Sequence, residues 1–218
     1  SFQQAVENIG GENMQRFVEG RRLFHTSFID GKHSEAPNLN PEFSEHADKI
    51  GGRYNAERCL SCHLMNGRSL PAEAGKTINS MSILTALQNE DGNFLPDPNY
   101  GLNVQQKSIE PYAEDYSVKV LEFETVREVV LPRDKTVILT KPKYEFSSLP
   151  PSSYSVRQAS QVIGMGLIEA IDESTILANA DASDADGDGI RGIPNWSVDP
   201  ETGRKHLGRY GWKAGKGS

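Results

Sequence analysis

Two thiols and an imidazole lie close together in the sequence, with Cys59, Cys62 and His63 in the order C-x-x-C-H. This order and spacing are typical of c-type haem attachment. The thiols can add across the porphyrin vinyl groups as thioethers, and the adjacent imidazole then lies where it can bind the iron as proximal ligand. The motif therefore predicts covalently bound haem c, attached at Cys59 and Cys62, with His63 on the iron.

Other uses of paired cysteines fit the sequence less well. The chain has 2 cysteines in 218 residues, so an all-cysteine zinc site is excluded and a mixed site would need distant histidines. A redox dithiol of the thioredoxin type needs a buried strand before the motif. Residues 53–58 are polar and do not predict such a strand. Haem attachment is therefore the favoured interpretation of the motif.

A second motif alternates carboxylates and glycines nearer the carboxyl end. The residues that match ligand positions of a calcium-binding loop are Asp184, Asp186, Asp188, Ile190 through its carbonyl, and Asn195. Asn195 stands where a bidentate glutamate is usual, so Asp181 or Asp199 would have to supply the missing charge. Aspartate and glycine also cluster in solvated turns for local reasons, and this alternative stays open. Mutual repulsion of the carboxylates favours a structural calcium ion.

Acidic residues outnumber basic ones, with 30 Asp plus Glu against 23 Lys plus Arg and a formal net charge of −7 at pH 7. This charge argues against a nucleic-acid partner. No apolar run is long enough to predict a transmembrane segment. Because covalent haem is attached outside the cytoplasm, we expect a periplasmic or otherwise extracytoplasmic protein whose export signal has been removed.

Hydrophobic spacing predicts the elements around these motifs. Apolar residues at helical intervals predict helices over residues 13–24 and 77–88. Runs rich in valine at 116–131 and 136–140 predict two strands that form a hairpin. After a Pro-Pro break, the apolar run at 156–171 predicts a mostly buried helix, and Asp172 is a candidate cap for a further short helix.

Several segments together resemble a family of di-haem c-type oxidoreductases, which includes thiol oxidoreductases and is related to bacterial di-haem cytochrome c peroxidases. The resemblance spans nearly the whole chain in the family's order. The stretches that carry it, besides the haem motif and the acidic loop, are Gly20–Phe24, Tyr54–Ala56, Tyr100–Gln105, Pro142–Phe146, Arg157–Ala159, Ile163–Ile171, Pro194–Asn195 and Gly208–Ala214.

The resemblance implies a mainly α, cytochrome-c-like haem domain with a β-hairpin insertion and an acidic calcium-type loop near the carboxyl end. With the predicted elements, it divides the chain into a haem-attachment region at 1–115, the hairpin insertion at 116–149, and a helical segment with the calcium-type loop at 150–218 that completes the same domain. Family members continue into a second haem domain, whereas this sequence has one C-x-x-C-H. We therefore expect either the amino-terminal, single-haem part of such a protein or a natural single-haem derivative.

The iron face opposite His63 decides between catalysis and electron transfer, because a Met or His ligand there favours electron transfer and an open face permits chemistry. Candidate ligands are Met14, His25, His33, His46, Met81, Met165 and His206. Candidate polar groups that could assist peroxide cleavage are Gln88, Glu90 and Gln105. No histidine lies between His63 and His206, so the distal-loop histidine of the peroxidase relatives has no counterpart.

Two functions compete at this point. The resemblance and the His63 motif favour a c-type haem oxidoreductase with peroxidase-like chemistry, whose catalytic residues stay unassigned. The single motif and the available methionines favour a single-haem electron-transfer cytochrome or docking module. Either function implies a redox partner protein or a second haem domain. A non-redox interaction domain with structural haem and calcium is a third possibility.

Overall fold

The protein is built mainly of antiparallel strands. The computed structural model describes residues 4–92, 94–112, 116–199, 202–211 and 213–217. Strands make up 30% of the chain and helices 18%, with three α-helices among the described residues. The expectation of a mainly α, cytochrome-c-like fold is therefore wrong.

The chain forms two compact units, Ser1–Gln161 and Val162–Ser218. The described elements of the first unit are α1 (Gly11–His25), β1 (Arg53–Tyr54), β2 (Met81–Gln88), β3 (Phe94–Leu95), β4 (Lys107–Ser108), β5 (Val118–Leu131), β6 (Lys135–Phe146) and β7 (Ser153–Gln158). Those of the second unit are α2 (Met165–Glu169), α3 (Glu173–Leu177), β8 (Trp196–Val198) and β9 (Lys205–Leu207). The haem motif lies in the first unit and the acidic loop in the second.

The first unit contains a three-stranded sheet in the order β3-β2-β7. Strands β2 and β7 run antiparallel, with Met81 opposite Gln158 and Ala86 opposite Ser153. One face of this sheet packs on the buried core, whose members are Ile78, Ile83, Val104, Val118 and Val120. Because β5 supplies Val118 and Val120, the base of the long hairpin is part of that core.

The predicted helix over residues 77–88 is wrong, because Met81–Gln88 forms β2. Ile83 and Thr85 are buried while Leu84 between them is 41% exposed, which is the alternation of a strand with one buried face. The same apolar residues also fit helical intervals over this short run. Pairing with β7, more than 60 residues further along the chain, decides in favour of the strand.

The predicted helix before the haem motif and the predicted hairpin are both present. Helix α1 covers Gly11–His25, and β5 pairs with β6 from Val118 opposite Phe146 to Leu131 opposite Lys135. The hairpin extends beyond the core, where Val130 and Ile138 are 66% and 59% exposed. These elements are confirmed because their signals are local in sequence.

The predicted buried helix over residues 156–171 is wrong. Its first part is strand β7, and only Met165–Glu169 is helical. Gly164 adopts a left-handed conformation with φ of 74°, which prevents a continuous helix, and Leu167 is 63% exposed. Asp172 directly precedes α3 as predicted, but its side chain makes no capping hydrogen bond.

The predicted division of the chain at 115/116 stays a prediction, since residues 113–115 lie outside the described residues. Within the described ranges, no helix combines the length and the apolar character needed to cross a membrane.

The burial difference along β2 predicts a difference in stability between two adjacent substitutions. Ile83→Ala is expected to lower the free energy of unfolding by about 2–5 kcal/mol, because it leaves a cavity in the core. Leu84→Ala, on the exposed face of the same strand, should cost less than about 1 kcal/mol. Denaturant unfolding of both variants measures this, and equal losses would contradict the strand assignment.

Candidate functional site

The imidazole of His63 is held by a hydrogen bond to the backbone. Its Nδ1 lies 2.8 Å from the carbonyl oxygen of Ser160 and 3.3 Å from that of Gly67. A carbonyl oxygen can only accept, so Nδ1 carries the proton and the neutral ring keeps its lone pair on Nε2. This tautomer is the one a histidine needs in order to bind a metal through Nε2.

The Ser160 carbonyl is itself positioned by a clamp at the end of β7. Ser69, which is 1% exposed, accepts a hydrogen bond from the backbone N–H of Ala159 at its Oγ, at 2.9 Å. The side-chain amide of Gln158 donates to the Ser69 carbonyl at 2.6 Å. These bonds join the segment after the haem motif to the three-stranded sheet. The sheet therefore fixes the orientation of the His63 ring.

The haem motif folds as a tight turn. Cys59–Ser61 is a single 3-10 turn, and the N–H groups of Cys62 and His63 both donate to the Cys59 carbonyl, at 3.2 and 3.0 Å. Phe24, near the end of α1, packs against the His63 ring with 5.8 Å between ring centroids. The helix before the motif thus contacts the His63 ring directly.

Both thiols and His63 line one cavity of about 450 Å³. Its other lining residues are Phe24, Phe28, Arg53, Tyr54, Asn55, Ala56, Arg58 and Gln105. The volume lies in the range of small-molecule and cofactor sites, and the wall is mostly apolar with a few polar groups, as such sites usually are.

The residues of this cavity fit a covalently attached haem. Two thiols and an imidazole with a free Nε2 lone pair are the complete donor set that attachment and proximal ligation need. The Nε of Arg58 is buried and has no hydrogen-bond partner among the described residues. A buried donor of this kind usually has an acceptor, and because Arg58 lines the cavity, an anionic group bound there is a candidate for that acceptor.

Burial shifts the acidity of both thiols. Desolvation raises the pKa of Cys59, and desolvation together with the nearby Cys59 raises the pKa of Cys62. Redox-active dithiols have thiol pKa values lowered by their surroundings. The surroundings of Cys59 and Cys62 raise the thiol pKa instead, which does not favour a redox-active dithiol.

Of the candidates for the distal side of the iron, only Gln105 is among the described residues that line the cavity. Met81 packs against the hydrophobic core, and Met14 is 40% exposed on α1. Met165 and His206 belong to the second unit. Gln88 is exposed at the end of β2, and Glu90 just beyond it is exposed as well.

Neighbouring hydrogen bonds place Gln105 at the cavity. The backbone N–H of Val104 donates to the Ile83 carbonyl at 2.9 Å, and that of Gln106 donates to Asn55 Oδ1 at 3.1 Å. Strands β1 and β4 then pair, with Tyr54 opposite Lys107. Gln105 therefore lies on a segment held on one side by the core and on the other by the residues just before the haem motif.

His25 forms a buried network behind the haem motif. It is 0% exposed, and its Nε2–H donates to Asn66 Oδ1 at 3.0 Å while Nδ1 accepts from the Ser34 hydroxyl at 3.3 Å. The N–H of Asn66 donates to the His63 carbonyl at 2.9 Å. His33 stacks on the His25 ring at 5.3 Å between centroids. Burial lowers the pKa of His25, since the charged ring would lose its hydration.

In the acidic loop, the carboxylates of Asp181, Asp184 and Asp186 lie within 4.8 Å of one another. The Asp188 carboxylate accepts a hydrogen bond from the N–H of Ile190 at 2.7 Å. The Asn195 amide donates to the Lys213 carbonyl at 2.9 Å. Of the ligands predicted from the spacing, the structure brings Asp184 and Asp186 together with Asp181. Each of these carboxylates also accepts a backbone N–H, from Gly189, Asp188 and Ala185 respectively.

Comparison with known proteins supports a haem-related function. A family model described as "Di-haem oxidoreductase, putative peroxidase" matches residues 152–218. This match confirms the resemblance to di-haem oxidoreductases over the carboxy-terminal part of the chain. It includes β7 and Ser160, whose carbonyl accepts the His63 hydrogen bond. No curated protein and no solved structure matches the chain.

The sequence predicts four of the residues that line this cavity, Cys59, Cys62, His63 and Gln105, and does not predict the other lining residues. Ser160 acts through its backbone carbonyl, which leaves no side-chain signal in the sequence. Arg53 and Arg58 lie within six residues of Cys59, so proximity to the motif could have drawn attention to them.

The buried position of His25 predicts a loss of stability in mild acid. Its ordinary pKa is 6.5 and its folded pKa is lower, so below about pH 6.5 the unfolded chain binds a proton that the folded chain does not. The free energy of unfolding should therefore fall between about pH 7.5 and about pH 5.5, a range above the titration of ordinary carboxylates. Denaturant unfolding across this range measures the slope.

Substitution His25→Gln should flatten this slope, whereas His46→Gln, at a partly exposed position of the same unit, should leave it as in the wild-type protein. A slope that His25→Gln does not change would contradict the assignment to His25.

Proposed function

We propose that the protein is a c-type haem oxidoreductase with peroxidase-like activity. The observation that carries the proposal is the hydrogen bond from His63 Nδ1 to the Ser160 carbonyl, which leaves Nε2 free at a cavity that also contains both thiols. The family match supports the coarser statement, an oxidoreductase related to haem chemistry. Covalent attachment of the haem and a peroxidase-like reaction go beyond the family match and belong to this proposal.

Cys59 and Cys62 each form one thioether bond in this proposal. The sulfur adds to a vinyl carbon and the thiol hydrogen goes to the other vinyl carbon, so no external oxidant is consumed. His63 then binds the iron through Nε2, with its ring orientation and basicity set by the Ser160 carbonyl. Loss of such outer hydrogen bonds typically costs about 10–100-fold in metal affinity or activity.

When bound, the haem supplies an iron that exchanges electrons with a substrate. In the overall reaction one hydrogen peroxide takes up two electrons and two protons to give two waters, and two equivalents of a reduced one-electron donor protein, each oxidised once, would supply the electrons. Asn55 and Gln105 are the side-chain amides among the described lining residues, and Asn55 accepts the Gln106 N–H, so we assign to Gln105 the hydrogen bond to a peroxide oxygen. An amide does not release a proton at neutral pH, so Gln105 orients the peroxide and solvent provides the protons.

The partner in this proposal is a redox protein or a second haem domain, and the location is periplasmic or otherwise outside the cytoplasm. The motif for covalent haem supports the location, because attachment takes place there. The formal net charge of −7 favours a redox partner with a basic docking face.

The haem-loaded protein is expected to bind cyanide and to consume peroxide with a reduced electron donor. Gln105→Leu should lower kcat/KM for peroxide about 10²-fold, the usual cost of removing one oriented donor. The matched control is Gln88→Leu, a glutamine that does not line the cavity and should retain wild-type kinetics. Haem content and the optical spectrum of each variant show that loading is equal.

The same measurements separate the proposal from its alternative. A six-coordinate, low-spin haem in both oxidation states that ignores cyanide and peroxide would contradict an oxidoreductase with its own active site. It would favour the single-haem electron-transfer cytochrome or docking module.

We also propose that the acidic loop binds a structural calcium ion. The close approach of the Asp181, Asp184 and Asp186 carboxylates supports this, because three like charges repel one another unless a cation compensates. Asp184, Gly187 and Gly189 have positive φ angles of 56°, 72° and 84°, which give the tight loop that such a site needs.

Calcium binding is expected to depend on the clustered carboxylates. Asp181→Asn and Asp184→Asn should each weaken calcium affinity about tenfold or more, because each removes charge from an oxygen ligand set. Asp172→Asn, outside the loop at the start of α3, is the control and should bind as the wild type does. Calorimetric titration of calcium-depleted protein measures the affinities. A wild-type protein without calcium affinity would refute this second proposal.

A further inference from the structure

Arg58 directly precedes the first haem-attachment cysteine and lines the cavity. Its side chain is 23% exposed, and one terminal nitrogen pairs with Glu57 Oε1 at 2.9 Å. The Nε on the same guanidinium is buried and finds no hydrogen-bond partner in the part of the chain that the structure describes. Leaving a charged donor unsatisfied in the interior is costly, so an acceptor outside the protein's own groups is expected there.

A second guanidinium adds to the positive charge of the same wall. Arg53 lines the cavity too, and its Cζ lies 5.2 Å from the centroid of the Tyr116 ring. No aspartate or glutamate is among the described lining residues. Other charged groups near the motif are Glu57, paired with Arg58, and Lys107 on β4, which acts electrostatically on Cys62. The wall is therefore suited to an anion.

We propose that Arg58, together with Arg53 of the same cavity, binds a propionate carboxylate of the attached haem. This contact raises the reduction potential of the haem. This inference rests on the proposed function, because it presupposes haem in the cavity. The Nε–H of Arg58 supplies a charge-assisted hydrogen bond to this carboxylate. A lysine at position 58 would keep the positive charge but would not hold a donor in the same fixed orientation.

The effect on the iron follows from simple electrostatics. An unpaired propionate close to the haem favours the ferric over the ferrous state, because the ferric haem carries one more positive charge. A guanidinium bound to that carboxylate neutralises it, which stabilises the ferrous state relative to the ferric one. Removing Arg58 should therefore lower the midpoint potential.

Redox titration of the haem-loaded protein near neutral pH tests this proposal. Arg58→Gln is expected to lower the midpoint potential, and Arg58→Lys should recover part of the loss because it restores the charge. Glu57→Gln breaks the Glu57–Arg58 ion pair without removing the Nε donor, so it should leave the potential unchanged or raise it. Arg127→Gln, on the exposed part of the hairpin, is a remote control.

The measured potentials and haem contents distinguish failure of the Arg58 proposal from failure of the proposed haem function. An unchanged potential in Arg58→Gln, with normal covalent haem, would overturn the proposal while leaving the proposed haem function intact. Absence of haem from the wild-type protein would instead overturn the proposed function. If Arg58→Gln does not retain haem, retention by Arg58→Lys supports the anion-binding role, whereas loss from both variants points to a purely structural role and overturns it.

Discussion

The hydrogen bond between His63 Nδ1 and the Ser160 carbonyl is the constraint on which the site depends. A hydrogen bond of this kind contributes only about 0.5–1.5 kcal/mol to folding. Its importance lies in geometry, because it fixes both the tautomer and the ring orientation of the only histidine that lines the cavity among the described residues. The clamp between Ser69 and the end of β7 keeps the acceptor in place. A small net energy thus determines which ring nitrogen carries the proton and which keeps its lone pair.

The acceptor of this hydrogen bond is positioned by a β-sheet, although the sequence predicts a cytochrome-like helical domain. The Ser160 acceptor lies two residues beyond the end of strand β7, and β2 pairs with β7 and contributes Ile83 to the core. The haem motif itself sits in short turns between α1 and the sheet. Haem attachment needs two thiols and an imidazole at close spacing, and a turn of this kind supplies them whether helices or strands surround it.

The sequence predicts local features well and long-range ones poorly. Helix α1 and the β5–β6 hairpin follow from periodicity within one segment, and the motif at Cys59–His63 needs no tertiary context. Strands β2 and β7 were mistaken for helices, because their apolar residues fit both periods and only their mutual pairing decides. The Ser160 carbonyl could not be predicted, since every residue has one. From the sequence, Gln105 is one of three polar candidates for assisting peroxide cleavage, and of these three it is the one that lines the cavity.

The most direct test of the account is nuclear magnetic resonance of the haem-loaded ferric protein with nitrogen-labelled histidines, of which the chain has 5. The account predicts that the His63 ring signals are strongly shifted and broadened by the iron at Nε2. It also predicts a slowly exchanging proton on Nδ1, protected by the Ser160 carbonyl. His63 signals at ordinary diamagnetic positions, or a freely exchanging Nδ1 proton, would contradict it.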